Sequence, residues 1–286
     1  MSKINCVLDA CSIINLISID EDDFLIKKLF KCLKLSICEK VLKEVKCNIF
    51  KKENLQTKKK EVDTLLGQLY HYVVSDSTLE KDCGKDFFER IHKIANYKKE
   101  NGEFYSSALA LYLSQYEEIK LFFHTDDSPA KNEFQDFFIT HQIGGIEDTA
   151  DLILLIYRLD DKFLNKELIK FLDSLFAEYA REVAACLKEL REISSFVNSN
   201  AKFRKKGNLK NLIHKLIIKL ESHDFSHIHE LKRDLLEVND PILKGFVQKY
   251  EAVFMLDPSS QSKNNFLNKI RTLQKKAKKE NIYKII

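Results

Sequence analysis

The sequence predicts two domains, an α/β unit built on a parallel sheet over residues 1–160 and an all-helical unit over residues 161–286. Three observations predict it. In the first part, short apolar runs alternate with amphipathic helical patterns, the order expected when strands are joined by helical crossovers. In the second, no strand-like run appears and a 4-3 apolar repeat takes over. Across the chain only 7 Gly and 3 Pro interrupt 286 residues, of which 44% are hydrophobic, so collagen, wholesale disorder and turn-rich β-sandwiches are excluded.

Taken in order, Ile4 to Leu8 reads as a strand of apolar and β-branched residues ended by Asp9. Leu35 to Ile37 reads as a second, Tyr72 to Val74 as a third, and Leu121 to His124 as a fourth, ended by Thr125-Asp126-Asp127. Phe137 to Thr140 is a weaker fifth. Between them helical spacing predicts Cys11 to Ile17, Asp23 to Leu33, Glu39 to Phe50, Glu53 to Leu69, Lys85 to Tyr97, Glu103 to Tyr116 and Pro129 to Phe134. Gly144-Gly145 reads as a turn before a helix that starts at Asp148.

In the second part Leu172, Phe176, Tyr179, Val183, Cys186, Leu190, Ile193 and Val197 form a heptad seam. Breaks at Asn198-Ser199-Asn200 and Gly207-Asn208 precede Leu209, Leu212, Ile213, Leu216 and Leu220, which favours a helix hairpin within one chain over a coiled-coil homodimer. Further helices are predicted over Ile228 to Leu236, over Ile242 to Phe254 after Asp240-Pro241, and over Ser260 to Lys279 after Asp257-Pro258, where an acidic cap precedes proline.

The net charge is only +4, but residues 1–150 carry 21 basic and 25 acidic side chains, against 26 and 18 in residues 151–286. An acidic pocket on one domain and a basic surface on the other suits a nuclease that holds metal ions. Seven cysteines without paired C-x-x-C spacing, no signal-peptide pattern and no apolar run of membrane length lead to the expectation of a cytoplasmic protein with reduced thiols and no membrane partner.

Ligands of open parallel sheets bind beyond the carboxyl ends of the strands, so acids placed there converge even when far apart in sequence. Asp9 ends the first strand, and Asp126 and Asp127 follow the fourth. Glu44 projects beside Ile37, Val41 and Asn48 at the border of an apolar stripe, whereas Glu39 projects into solvent. Glu103 opens a helix after Asn101-Gly102, where the macrodipole favours an ionised carboxylate.

In their order and spacing these residues resemble the PIN-domain nucleases, which share a strand ending in Asp, a Glu on an early helix, an acid near the start of a later helix and a strand ending in Thr-x-Asp. The resemblance covers roughly residues 1 to 157 and implies a PIN-like three-layer domain in which Asp9, Glu44, Glu103 and Asp127 are catalytic and Asp9, Glu103, Asp126 and Asp127 hold the metal. Cys11, with Ser12 next, stands where the family usually has Ser, Thr or Asn. Cys11, Ser12 and Thr125 are thus the expected supports of the carboxylates.

Carboxylates crowded within a few ångströms raise each other's pKa unless a cation sits among them. Mg²⁺ or Mn²⁺ takes oxygen ligands and can activate water against a phosphodiester. Similarity to the family implies that the phosphodiester belongs to RNA, so metal-dependent endoribonuclease cleavage is the expected activity. Similarity to the family further implies a toxin or phage-defence effector with an inhibitory or regulatory protein partner. The alternatives are an inactive PIN-like scaffold that binds nucleic acid or protein, and a nuclease acting on single-stranded or flap DNA. Nucleic-acid contacts are expected from Lys202, Arg204, Lys205, Lys206 and Lys210 and from Arg271, Lys275 and Lys276, with Phe203, Phe266 and Tyr283 as candidates for base stacking. His223, His227 and His229 read as polar residues of a helix junction rather than zinc ligands, and Cys11, Cys38 and Cys47 as small buried hydrophobes.

Overall fold

The computed structural model describes residues 3–95, 99–200, 203, 207–222, 224–254 and 266–285. The chain forms two compact units, one comprising Met1–Phe171 and Ala277–Ile286, the other Leu172–Lys276. The division therefore falls at 171/172 instead of 160/161, and the last segment returns to the first unit. Lys284 accounts for that return. Its ammonium donates to the backbone carbonyls of Tyr157, Asp160 and Phe163 at 2.7, 2.5 and 2.6 Å and lies 3.7 Å from the Tyr157 ring centroid. These interactions tie the end of the chain to the last turn of one helix and the loop that follows it.

The first unit is α/β. Its sheet has five parallel strands, β1 (Ile4–Leu8), β2 (Leu33–Cys38), β3 (Val73–Val74), β4 (Leu121–His124) and β5 (Gly144–Glu147), in the order β3-β2-β1-β4-β5. Cys6, Val7 and Leu8 are consecutive and all buried, as a central strand covered on both faces requires. The connections from β1 through β2 to β3 step one way across the sheet. The chain then crosses to the other side of β1 for β4 and β5, so the topological switch point lies between β1 and β4.

Helices α1 (Ala10–Ile19) and α2 (Phe24–Cys32) join β1 to β2, and α3 (Glu39–Asn48), α4 (Glu53–Gln56) and α5 (Lys59–Leu69) lead to β3. The return is made by α6 (Asp76–Cys83), α7 (Lys85–Ala95) and α8 (Gly102–Tyr116), followed after β4 by α9 (Ser128–Thr140) and after β5 by α10 (Thr149–Leu159). Helix α6 has no counterpart among the sequence expectations. Its Ser75 side chain accepts from the Thr78 N–H, but only Leu79 of its eight residues is buried, too little apolar periodicity to read.

Phe137 to Thr140 is helical, not a strand. Phe134, Phe137 and Phe138 share one buried face of α9, and the strand is instead Gly144–Glu147, where a turn was expected. Gly144 has φ +147°, and a Cβ there would run into the Leu121 carbonyl oxygen, so glycine is required for the strand to pair with β4.

In the second unit the seam residues from Phe176 to Val197 on α11 (Asn165–Ser199) pack with Leu209, Ile213, Leu216 and Leu220 of α12 (Gly207–Glu221) in one apolar cluster. The seam is thus covered by the chain's own helices. The cluster also takes in Ile228 and Leu235 of α13 (Ile228–Glu237), Leu243, Phe246 and Val247 of α14 (Pro241–Lys249), Val253 and Phe254 of α15 (Glu251–Phe254), and Leu267 of α16 (Phe266–Lys278). Among the described residues no helix is long and apolar enough to cross a membrane.

Candidate functional site

The switch point places the end of β1 against the end of β4, with the Asp9 N–H donating to the His124 carbonyl at 3.0 Å. Asp9 occupies the N-cap position of α1, yet it does not cap the helix. Its Oδ2 accepts instead from Cys11 Sγ at 2.8 Å and Thr125 Oγ1 at 2.9 Å. Its Oδ1 is fully buried and has no hydrogen-bond partner. The thiol of Cys11 also accepts from the Asp126 N–H at 3.3 Å, so it performs the tethering expected of a hydroxyl at this place. Cys11 is therefore no inert hydrophobe, and Cys47 is exposed rather than buried. Ser12 is buried without a hydrogen-bond partner and does not support the carboxylates, a correction to its expected role.

The two consecutive aspartates have separate fates. Asp126 Oδ2 accepts from Asn15 Nδ2 at 2.7 Å and Thr149 Oγ1 at 2.6 Å, while Oδ1 accepts from the Thr149 N–H at 2.8 Å. Both oxygens accept hydrogen bonds that tie α1 and the start of α10 to β4. Asp127 receives the Ala130 N–H on Oδ1 as the cap of α9, and its own N–H donates to Thr125 Oγ1 at 3.1 Å. Thr125 thereby links the Asp9 carboxylate to the Asp127 backbone at the carboxyl ends of β1 and β4.

The third wall comes from α3 and α8. Glu44 Oε1 accepts from the Gly102 N–H, the first of α8, at 2.9 Å. Glycine at 102 is needed because a Cβ would collide with Glu44 Oε2 and lie 3.1 Å from Val41 Cγ2. Gly102→Ala is expected to keep the fold, since the obstacle is the far end of a flexible side chain, but to turn Glu44 out of the cleft. The melting temperature should stay within a few degrees of the wild type while the upward shift of the Glu103 carboxyl shrinks as Glu44 moves off; a large loss of melting temperature would mark Gly102 as a folding residue only.

Electrostatics join these walls. Burial raises the Glu103 carboxyl to about 8, with Asp9, Asp127 and Glu44 each adding to the rise. Burial likewise lifts Asp9 to about 6, opposed by its bonds from Cys11 and Thr125 and reinforced by Glu44. The helix dipole was expected to keep Glu103 ionised; desolvation together with three nearby carboxylates outweighs it. Glu103 Oε2 is a second buried oxygen without a partner. The four expected acids thus sense one another, and the residue types suit a hard cation. Among the described residues, however, no three His, Cys, Asp or Glu side chains stand at coordination spacing.

The residues missed from sequence are Asn15, Thr149, Asp148 and Lys131. Asp148 caps α10 in a capping box with Asp151 and pairs with Lys131 at 3.3 Å. The Asp148-x-x-Asp151 spacing was a readable signal; the ties made by Asn15 and Thr149 depend on tertiary contact alone. His124 is buried and its imidazole is held near 4, principally by burial, so it is neutral at the end of β4.

Of the expected nucleic-acid contacts, Lys202, Arg204, Lys205 and Lys206 lie outside the described residues. Lys210 is half-buried, while Arg271, Lys275 and Lys276 of α16 are exposed. Arg271 lies 4.9 Å over the Phe176 ring. Phe203 is buried in the helical core and Phe266 packs on Tyr179 at 4.7 Å, which removes both from base stacking; Tyr283 is exposed. His227 adopts a left-handed conformation and pairs with Glu230 at 3.2 Å, and His223 lies outside the described residues. No family model, no curated protein and no solved structure matches this chain, so the resemblance to PIN-domain nucleases rests on the motif residues and their placement at the switch point.

Proposed function

We propose that the first unit is a PIN-like, divalent-cation-dependent endoribonuclease, with Asp9, Glu103 and Asp127 as carriers of Mg²⁺ or Mn²⁺ and Glu44 completing the acidic wall. The supporting observation is the pair of buried, partnerless carboxylate oxygens, Asp9 Oδ1 and Glu103 Oε2, beside Glu44 and Asp127. A bound cation supplies positive charge that offsets this repulsion and polarises water and phosphate oxygens. Cys11 and Thr125 hold Asp9 so that Oδ1 remains available. The Gly102 N–H orients Glu44, and Glu103, protonated at neutral pH in the cation-free protein, gives up its proton to become an oxygen donor. The exposed Arg271, Lys275 and Lys276 of the helical unit are assigned to phosphate contact, or to a regulatory partner such as the resemblance implies for toxins and defence effectors.

A scaffold without catalysis is the second reading, favoured by the lack of three acids at coordination spacing among the described residues. Incubation with total RNA and labelled single-stranded DNA, in Mn²⁺ or EDTA, separates the readings. Cleavage of RNA in Mn²⁺ that is lost in EDTA and in Glu103→Gln and Asp127→Asn is the expected result. Intact RNA throughout would leave the scaffold, and preferential cutting of DNA would change the substrate.

A further inference from the structure

The first unit also holds a cavity of about 520 Å³ that takes no part in the proposed cleavage chemistry. It is built by α6, α7 and α8, and its α8 residues Phe104 and Tyr105 directly follow Glu103, one to two residues away at about 3.8 Å per Cα step. Phe104 is buried and forms a floor on which His92 stacks at 4.1 Å with 18° between the rings. Phe88, one helical turn before His92 on the same face of α7, meets Phe104 and Tyr105 at 5.9 and 5.6 Å. The walls are therefore flat and aromatic.

The rim is polar and rich in acceptors. Glu80 is held in place by the Tyr105 hydroxyl, which donates to Oε1 at 2.7 Å; Glu89 is exposed; Lys81 adds a donor. A cationic side chain of a protein partner would be a rival occupant of such a site, but Lys81 on the rim repels it and Lys40 already covers the Tyr105 ring. Lys40 sits 4.3 Å over the Tyr105 ring, and Glu100 lies 3.5 Å from His92. A flat, neutral ring that brings donors to the carboxylates fits these walls.

Resting on the nuclease reading, we propose that this cavity receives one unstacked base of the RNA, guanine foremost. The ring lies against Phe88 and His92, Glu80 and Glu89 accept from the N1–H and N2 amino group, and Lys81 donates to O6. Such pairing of aromatic stacking with edge hydrogen bonds is how single-stranded RNA is read in general.

The test uses nucleosides, which carry no phosphate and need no metal. Guanosine, adenosine, cytidine and uridine are titrated by ligand-observed NMR into the full chain and its Asp9→Asn variant, both in EDTA. Guanosine should bind about five- to tenfold more tightly than uridine to both proteins, and Phe88→Ala or Glu89→Gln should weaken it by a similar factor. Glu89 is exposed, so its loss cannot be blamed on misfolding. Equal affinities for all four nucleosides, no binding, or displacement of guanosine by arginine amide would overturn the proposal. Guanosine selectivity in a protein that cuts no RNA would instead retire the nuclease reading and leave the pocket standing.

Discussion

Asp9→Asn is expected to lower Mn²⁺-dependent RNA cleavage at least about a hundredfold while raising the melting temperature of the cation-free protein. The two effects share one cause. Asp9 is fully buried with one oxygen unpartnered, and its charge adds to the rise of Glu103. Asn has the same shape without the charge, so it relieves repulsion in the empty cleft and removes the attraction that a divalent ion would exploit. In the wild type, Mn²⁺ at 100 times its dissociation constant stabilises by about 2.7 kcal/mol, a rise of roughly 5–10 °C for a domain of this size. That rise should vanish in the variant. Melts in EDTA and Mn²⁺ measure both effects, and equal Mn²⁺ shifts in the two proteins would move the ion away from Asp9.

In EDTA the stability of the wild type should fall as pH rises from 6.5 to 8. Glu103 titrates near 4.5 when unfolded and near 8 when folded, so over this window the native state holds a proton that the unfolded chain has lost. Unfolding then releases that proton, and each step up in pH favours the unfolded state, by at most about 1.4 kcal/mol per pH unit. Other shifted groups act mainly lower. Asp9, half-titrated near 6, adds to the same fall and fades by about pH 7, and buried His124, near 4 when folded against 6.5 unfolded, works with the opposite sign below 6.5. Asp160, which burial would raise but Lys28 and Lys31 draw down to about 2, loses its contribution only as pH falls below about 4. Denaturant titrations at pH 6.5, 7.2 and 8 measure the slope. Glu103→Gln and saturating Mn²⁺ should each flatten it, and an unchanged slope in Glu103→Gln would assign the proton elsewhere.

Much of the sheet was legible because its central strands are buried on both faces. Ile4–Leu8 and Leu121–His124 appear in the sequence as apolar runs with acids at their carboxyl ends, and that placement was the readable part of the cleft. Gly144–Glu147 was not legible, since an edge strand of four residues with two glycines carries no apolar period. Phe137 and Phe138 misled for the converse reason: two adjacent aromatics suit a strand until Phe134 is seen to share their face. Nor could the sequence divide labour between Asp126 and Asp127, because the partners that occupy Asp126 are 111 and 23 residues away.

By itself, then, the amino-acid order determined an α/β unit followed by a helical one and put acids at the ends of two strands, because burial period and residue type are local properties. Only the tertiary structure decided that β4 lies next to β1, that Cys11 grips Asp9, that Gly102 admits Glu44 and that Glu103 keeps its proton at neutral pH. Each of these depends on groups distant in sequence losing their water together, and desolvation is a property of the folded neighbourhood and not of the residue.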